Sequence, residues 1–233
     1  MHTNRILILI TVLAMLSFIP LGVMAQGLNA TNATDWPQTN YDPTMSRHSP
    51  QTEIGKNNVD QLQVKWILNT KYSTEAPPLI VGDTGYVENN GAQVIAFDLN
   101  TGLVKWFYDT NLTLVGGAAL PRVSTAHGMT YENGVIYAPT VANGTIVALS
   151  AENGTRIWES PKLQNGSAWR ISAPPLICND IIIAGSALGD DPPFGFPARG
   201  SVTGVSKENG SILWRTYTAV GSWVTGPNST YNG

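Results

Sequence analysis

Ala96-Phe97-Asp98-Leu99-Asn100-Thr101-Gly102-Leu103-Val104-Lys105-Trp106 recurs as Ala148-Leu149-Ser150-Ala151-Glu152-Asn153-Gly154-Thr155-Arg156-Ile157-Trp158, and again as Gly204-Val205-Ser206-Lys207-Glu208-Asn209-Gly210-Ser211-Ile212-Leu213-Trp214. Each copy sets a tryptophan four residues after a turn glycine. Ahead of each copy lies an apolar run with a turn inside it: Leu79 to Val87, Met129 to Tyr137, and Leu176 to Ile183. The unit therefore reads as strand, turn, strand, short link, strand, Thr/Asn-Gly turn, and a strand carrying Trp. Counted along Trp66, Trp106, Trp158 and Trp214, the period runs from about 40 to about 56 residues, the range of propeller blades and similar four-stranded repeats. A four-stranded unit at this spacing is the mark of β-propeller blades, and it is too long for leucine-rich or ankyrin repeats. Each Trp is expected to wedge between neighbouring blades, held by the turn just before it.

Composition agrees with an all-β reading. Of 233 residues 42% are hydrophobic and 12% charged, with 23 Gly and 15 Pro. The apolar residues come in short runs, which disfavours long amphipathic helices and coiled coils. A formal charge of −3, with no Lys/Arg cluster, lacks the basic face that nucleic acid requires. Three complete repeats follow a leading outer strand, Leu62 to Leu68, that carries Trp66. Propellers close with four to eight blades, so an incomplete ring is expected, the N-terminal part of a longer propeller.

The N-terminus has Arg5, an apolar stretch from Ile6 to Met24 broken at Pro20 and Gly22, and Val23-Met24-Ala25 as a small-residue cleavage site. Residues 1–25 are therefore expected to be a cleaved signal peptide, with 26–233 the propeller portion. The competing reading is a retained membrane anchor, since about 19 residues can just span a bilayer. After cleavage no membrane span remains, and the expected location is secreted, periplasmic or cell-surface. The one cysteine, Cys178, excludes an internal disulfide and is expected to be a buried, inert thiol. Eight Asn-X-Ser/Thr triplets begin at Asn29, Asn32, Asn111, Asn143, Asn153, Asn165, Asn209 and Asn228. They fit glycosylation of a surface protein. Four of them are Asn-Gly pairs, which hairpin turns favour by themselves.

The repeat resembles the tryptophan-docking unit of the pyrroloquinoline quinone (PQQ) dependent alcohol dehydrogenases, the quinoproteins, and Ala96 to Trp106 fits Ala-x-Asp-x-x-Thr-Gly-x-x-x-Trp throughout. The segment Trp36-Pro37, Asn40-Tyr41-Asp42, Arg47-His48-Ser49-Pro50, Ile54, Asn57-Asn58-Val59, Leu62, Trp66 is similar to the entry of these enzymes. The resemblance implies an eight-bladed propeller, of which this chain supplies about four blades' worth. It also implies an exported dehydrogenase that oxidises alcohols or sugars with PQQ and calcium and passes electrons to a cytochrome or quinone. By itself the 233-residue chain is expected to be incomplete and inactive.

The same resemblance assigns residues. Glu75, before Ala76-Pro77-Pro78-Leu79, stands where the family's glutamate approaches the quinone. His127-Gly128 stands where an Arg-Gly pair contacts the cofactor's carboxylates; an ordinary histidine is fully charged only below about pH 6.5, which would weaken that contact. Ser172, Ser186 and Ala187 complete the expected cofactor contacts. In the loop Gly185-Ser186-Ala187-Leu188-Gly189-Asp190-Asp191-Pro192-Pro193, Asp190 or Asp191 would replace the family's calcium-binding glutamate, the register being shifted by one. The family's adjacent cysteine pair is absent, its place lying near Pro121-Arg122. The aspartate that acts as general base belongs to later blades, so no catalytic base is assigned. A second reading is a non-catalytic propeller of the same repeat that binds protein; the entry segment favours the enzyme, while His127 and the altered loop favour the scaffold. No nucleophile elbow, Cys-x-x-Cys, His-Glu-x-x-His or phosphate loop is present.

Overall fold

A computed structural model describes residues 35–42, 44–91, 93–109, 127–140, 143–163, 169–171, 173–188 and 200–218. The expected signal peptide lies outside them, as do Ser172, Asp190, Asp191 and Arg122. The described residues form three antiparallel sheets, each a meander of four consecutive strands. Blade 1 is β1 (Leu79–Val81), β2 (Thr84–Asn89), β3 (Gln93–Asp98) and β4 (Val104–Asp109). Blade 2 is β5 (Thr130–Glu132), β6 (Val135–Thr140), β7 (Thr145–Ser150) and β8 (Arg156–Glu159). A two-residue strand that the repeat did not signal, β9 (Trp169–Arg170), precedes the last sheet. Blade 3 is β10 (Leu176–Cys178), β11 (Ile181–Leu188), β12 (Ser201–Ser206) and β13 (Ile212–Tyr217), and β9 pairs with the far end of β11.

The turn of each repeat shows why its residue types recur. In blade 1 the Gly102 N–H donates to Asp98 O at 2.8 Å, and the Asp98 carboxylate accepts the N–H groups of Asn100 and Thr101 and the Thr101 hydroxyl. These bonds, led by the Thr101 hydroxyl, hold the Asp98 carboxyl below its ordinary range. Position 101 also accepts the Leu103 N–H through its side-chain oxygen. Asn153 and Asn209 do the same for Thr155 and Ser211, both at 3.0 Å, which is why Thr and Asn interchange at this place. The glycine that follows has φ of +72°, +73° and +76° in the three repeats, a left-handed geometry that side chains resist. One residue before each tryptophan the ladder slips: Ala96 faces Trp106 but Phe97 faces Val104, and the slip recurs at Ala148 and Gly204. This bulge turns the indole onto the face that meets the next blade.

The docking differs from the sequence expectation in one respect. Each indole is held by the turn of the following repeat, not by the turn before it. Trp66 donates its Nε1–H to Leu99 O at 2.8 Å, Trp106 to Ala151 O at 3.1 Å, and Trp158 to Lys207 O at 3.1 Å. In every case the acceptor lies three residues before the turn glycine. A Cβ on Gly102 would stand 2.8 Å from Trp66, and one on Gly154 or Gly210 would stand 2.6 Å from Trp106 or Trp158. The reason is geometric: the bulge points the ring outward from its own sheet, so its own turn is out of reach.

The core has three parts: the two inter-blade faces, and the other face of blade 1, where Val87, Ile95 and Phe97 pack with Trp66, Leu68 and Leu99. Leu79, Tyr86, Val94 and Ala96 of blade 1 pack on Met129, Ile136, Val147 and Leu149 of blade 2. Tyr137, Ile146 and Ala148 of blade 2 pack on Ile182, Ala184 and Val205 of blade 3. Residues 62–68 form no strand among the described residues, so the expected leading strand is seen only through Trp66, which stacks edge-on to Phe97 at 5.4 Å. Among the described residues nothing covers the far face of blade 3. Leu176 is 44% exposed where its counterpart Leu79 is 0%. Cys178, two residues on along the same strand, is exposed for the same reason, which corrects the expectation of a buried thiol.

Two stability predictions arise from this packing. Trp106→Ala should destabilise the protein by about 3 kcal/mol, because it removes a docked indole and leaves a cavity. Trp214→Ala should cost less than half as much, since Trp214 is 39% exposed and meets no following turn among the described residues. Urea melts of the two variants give the comparison. The second concerns Glu88, which is 1% exposed on β2 with Oε2 lacking any hydrogen-bond partner. Burial pushes its carboxyl well above the ordinary value, so the neutral acid is the form the native state favours. Stability from this group is full below the unfolded carboxylate range and is lost as pH rises through the raised native value. Glu88→Gln should therefore be more stable than the parent at neutral pH, with the gap closing toward about pH 4, near the ordinary carboxylate range, in melts run across that interval.

Candidate functional site

Because each blade is a four-strand meander, its hairpins fall at two opposite ends. The β1–β2 and β3–β4 turns share one end, together with their counterparts, as Leu99 N to Asp83 O, Ala151 N to Gly134 O and Lys207 N to Asp180 O show. All three docking turns lie there. The other end carries the β2–β3, β6–β7 and β11–β12 connections and the chain entries into β1, β5 and β10. Glu75, His127 and the Ser186 end of β11 all fall at this second end. The structure shows this shared end for them, and no direct contact among the three.

Glu75 is exposed, in a loop that is laced to the β2–β3 hairpin. The Asn90 N–H donates to Ser73 O at 2.7 Å, and Asn90 Nδ2 donates to Ser73 Oγ at 2.9 Å and to Glu75 Oε1 at 3.1 Å. Thr74 Oγ1 donates to Glu88 O at 2.8 Å, and Asn89 Nδ2 to Thr70 O at 2.7 Å. Asn90 Oδ1 is buried and has no hydrogen-bond partner. Asn90 is a residue that sequence reasoning passes over; Asn89-Asn90-Gly91 signals a hairpin tip, but its grip on Glu75 depends on a loop that only the fold brings alongside.

His127 is exposed at the entry to β5. Gly128 follows with φ of +134°, and the Thr39 side chain fills the space beside its Cα, with Thr39 Oγ1 buried and unpartnered. Thr39 arrives on the segment that resembles the quinoprotein entry. Trp36 pairs with Ile80 on the free edge of β1, Gln38 bridges to Thr130 on β5, and Tyr131 N donates to Pro37 O at 2.9 Å. Beyond it the backbone turns sharply at Asn40 and Tyr41, and Arg47 Nε closes the turn on Asn40 Oδ1 at 2.9 Å. The entry segment thus straps the inner edges of two blades, next to His127.

Blade 2 ends in a hydroxyl cluster that sequence reasoning also misses. The Thr140 and Thr145 hydroxyls meet, Thr145 Oγ1 reaches Glu159 Oε1 at 2.8 Å, and Arg156 Nη1 holds Glu159 Oε2 at 2.6 Å. The Thr-x₄-Thr spacing across the hairpin is its one visible signal. In blade 3 the buried Ser186 hydroxyl lies 2.7 Å from that of Ser201. Ala187 is placed by its backbone, opposite Arg170 of β9. Ser172, Asp190 and Asp191 fall outside the described residues.

Among the described residues this end carries hydroxyl and amide groups together with the exposed Glu75 carboxylate and the exposed His127 imidazole. It offers hydrogen bonds to a polar ligand. Among the described residues no three His, Cys, Asp or Glu side chains gather in a metal-binding group. No helix among them is long and apolar enough to cross a membrane.

Comparison with known proteins gives this geometry its family. Residues 36–230 match the family model for the glucose/ethanol/alcohol dehydrogenase β-propeller domain, PQQ. The chain is 29% identical over 211 residues to the dehydrogenase subunit of a quinone alcohol dehydrogenase from Komagataeibacter europaeus, an alignment with 85% of this chain and 28% of that protein. With quinohemoprotein alcohol dehydrogenase ADH-IIG from Pseudomonas putida it shares 27% identity over 192 residues, 80% of this chain and 26% of that protein. Among solved structures, a europium-containing methanol dehydrogenase superposes with a TM-score of 0.69 at 28% identity, over 82% of this chain and 33% of that one. The quinohemoprotein alcohol dehydrogenase from Comamonas testosteroni superposes at 0.67 with 26% identity, over 79% and 27%. The chain thus spans between a quarter and a third of the length of these relatives. With three docked blades, the entry strap over their inner edges and a family match across most of its length, the chain belongs to the PQQ-dependent alcohol dehydrogenase β-propeller family.

Proposed function

We propose that this chain forms the first blades of an exported, PQQ- and calcium-dependent dehydrogenase that oxidises alcohols or sugars and hands the electrons to a cytochrome or a membrane quinone. The observation that carries the reading is the gathering of Glu75, His127 and Ser186 at the end of the blades away from the docking turns. Polar atoms left unpartnered at that end, Asn90 Oδ1 and Thr39 Oγ1, suit a site that receives a hydrogen-bonding ligand.

In this reading His127 and the Ser172, Ser186 and Ala187 stretch hold the anionic cofactor, and Asp190 or Asp191 supplies a carboxylate to calcium. Glu75, held by Asn90, would stand beside the quinone. When bound, PQQ supplies the oxidant that takes two electrons from the alcohol. The chain's own contribution is orientation: Asn90 holds the Glu75 carboxylate, and Thr39 of the strap packs against Gly128, the residue after His127. The general base belongs to blades beyond those described. Substitution of arginine by His127 replaces a forked, permanently charged donor by a single ring N–H, so cofactor affinity should be lower than an arginine would give.

The test is titration of the full-length protein with PQQ and Ca²⁺, following quinone absorbance and dye reduction with a panel of alcohols and sugars. Saturable, calcium-dependent reduction is expected, and His127→Arg should tighten PQQ binding about tenfold, equivalent to about 1.4 kcal/mol. Absence of saturable binding at high micromolar PQQ would overturn the reading in favour of a propeller that keeps the docking tryptophans for architecture alone.

A further inference from the structure

The eight Asn-X-Ser/Thr triplets exceed what composition supplies. With 19 asparagines and 38 serines and threonines in 233 residues, chance gives about three. Three of the eight lie within the described residues, beginning at Asn143, Asn153 and Asn209. Their surroundings differ in a way that separates turn chemistry from acceptor chemistry.

Asn153 and Asn209 occupy the docking turns, and both are exposed. Their Oδ1 atoms accept the N–H of Thr155 and Ser211, a role that Thr101 performs equally in the first repeat. The turn therefore accounts for an Asn or Thr here. It does not account for the hydroxyl two residues on: the side chains of Thr155 and Ser211 are exposed and make no hydrogen bond to the protein among the described residues. In the first repeat, which lacks the asparagine, that place is taken by Leu103, 69% exposed. Hydroxyl and asparagine thus occur together twice and are absent together once. The Nδ2 groups of Asn153 and Asn209 likewise have no protein partner among the described residues and face solvent. At Asn143 the situation is reversed. Its Thr145 is 5% exposed, and the hydroxyl is committed to Thr140 and Glu159.

We infer that Asn153 and Asn209 are N-glycosylation sites of the folded, exported chain, and that Asn143 is not. The donor is a lipid-phosphate-linked oligosaccharide presented by a membrane transferase. Asn Nδ2 forms the bond to sugar C1, the C1–O bond to the phosphate breaks with its electron pair leaving on the lipid phosphate, and one Nδ2 proton passes to a base of the transferase. Both turns lie at the end of the blades opposite Glu75 and His127, so glycans there leave the candidate site open. The inference rests on export, which is part of the proposed function, and is independent of PQQ.

The test is glycopeptide mass spectrometry on the protein recovered from the extracytoplasmic fraction of its natural host. Glycan masses on the peptides of Asn153 and Asn209, and an unmodified Asn143, are expected. Thr155→Ala and Ser211→Ala should each abolish modification at one site while thermal melting is unchanged, because the Asn oxygen still caps the turn. Unmodified Asn153 and Asn209 in exported protein, or the small mass increase of deamidation at these Asn-Gly pairs in place of a glycan, would overturn the inference and leave the dehydrogenase reading untouched. Recovery of the protein solely from the cytoplasm would overturn export and the glycans together.

Discussion

Everything in this structure depends on an indole lying flat over a glycine. The contact joins three requirements that no other residue pair meets together. The glycine must sit at positive φ, it must present a bare Cα to the ring, and the carbonyl three residues before it must point at the indole N–H. A Cβ at Gly154 would violate the first two at once, standing 2.6 Å from Trp106 on a backbone at φ +73°. At the junction of blades 1 and 2 the acceptor, Ala151 O, also receives the Tyr86 hydroxyl at 3.1 Å, so one carbonyl anchors two aromatic side chains of the preceding blade. Burial pushes the Tyr86 phenol above its ordinary value, as it does the corresponding Tyr137, raised to about 12, where Glu132 adds a like-charge contribution.

A division of labour between the two ends of the blades follows. Docking carbonyls, left-handed glycines and the Lys207–Glu132 ion pair at 2.7 Å all lie at one end, where they set the angle between neighbours. Freed from that task, the opposite end can hold loops of different lengths without disturbing the ring. Blade 1 uses the freedom to lace residues 70–76 onto a hairpin tip. Blade 2 uses it for a threonine and glutamate cluster, and blade 3 for a serine pair with an added short strand. Function is found on such variable connections over an invariant frame for the reason that loops generally carry it: altering them leaves the blade packing untouched.

The frame is legible in the sequence because its determinants are local. Turn, bulge and tryptophan fall within a single short stretch such as Ala96 to Trp106, and the repetition of that stretch along the chain exposes them. Which turn receives each indole is not legible, since Trp106 and its acceptor are far apart in the chain and the decision is made by a one-residue slip in the ladder. The burial expected at Cys178 fails for a related reason. The run Pro175-Leu176-Ile177-Cys178 has the pattern of a covered strand, but cover comes from the neighbouring blade, and none packs there among the described residues. At the candidate site the sequence locates Glu75, His127 and Ser186 through resemblance, yet it does not show Asn90 gripping Glu75 or Thr39 lying under the backbone beside His127. Both depend on segments brought together by the fold.

The face of blade 3 that nothing covers among the described residues obeys the same rule as the covered ones. Leu176 and Trp214 stand there exposed, at the places where blades 1 and 2 bury Leu79 and half-bury Trp106 and Trp158. A blade stacks on both sides or leaves a hydrophobic face in water, since each repeat contacts its neighbours alone and cannot hide its faces by itself. Leu79 and Leu176 are the same residue in the same strand position, and what separates 0% from 44% exposure is that among the described residues a following blade packs on the first and none on the second. Sequence therefore encodes equivalent blades, and position in the stack decides what each one buries.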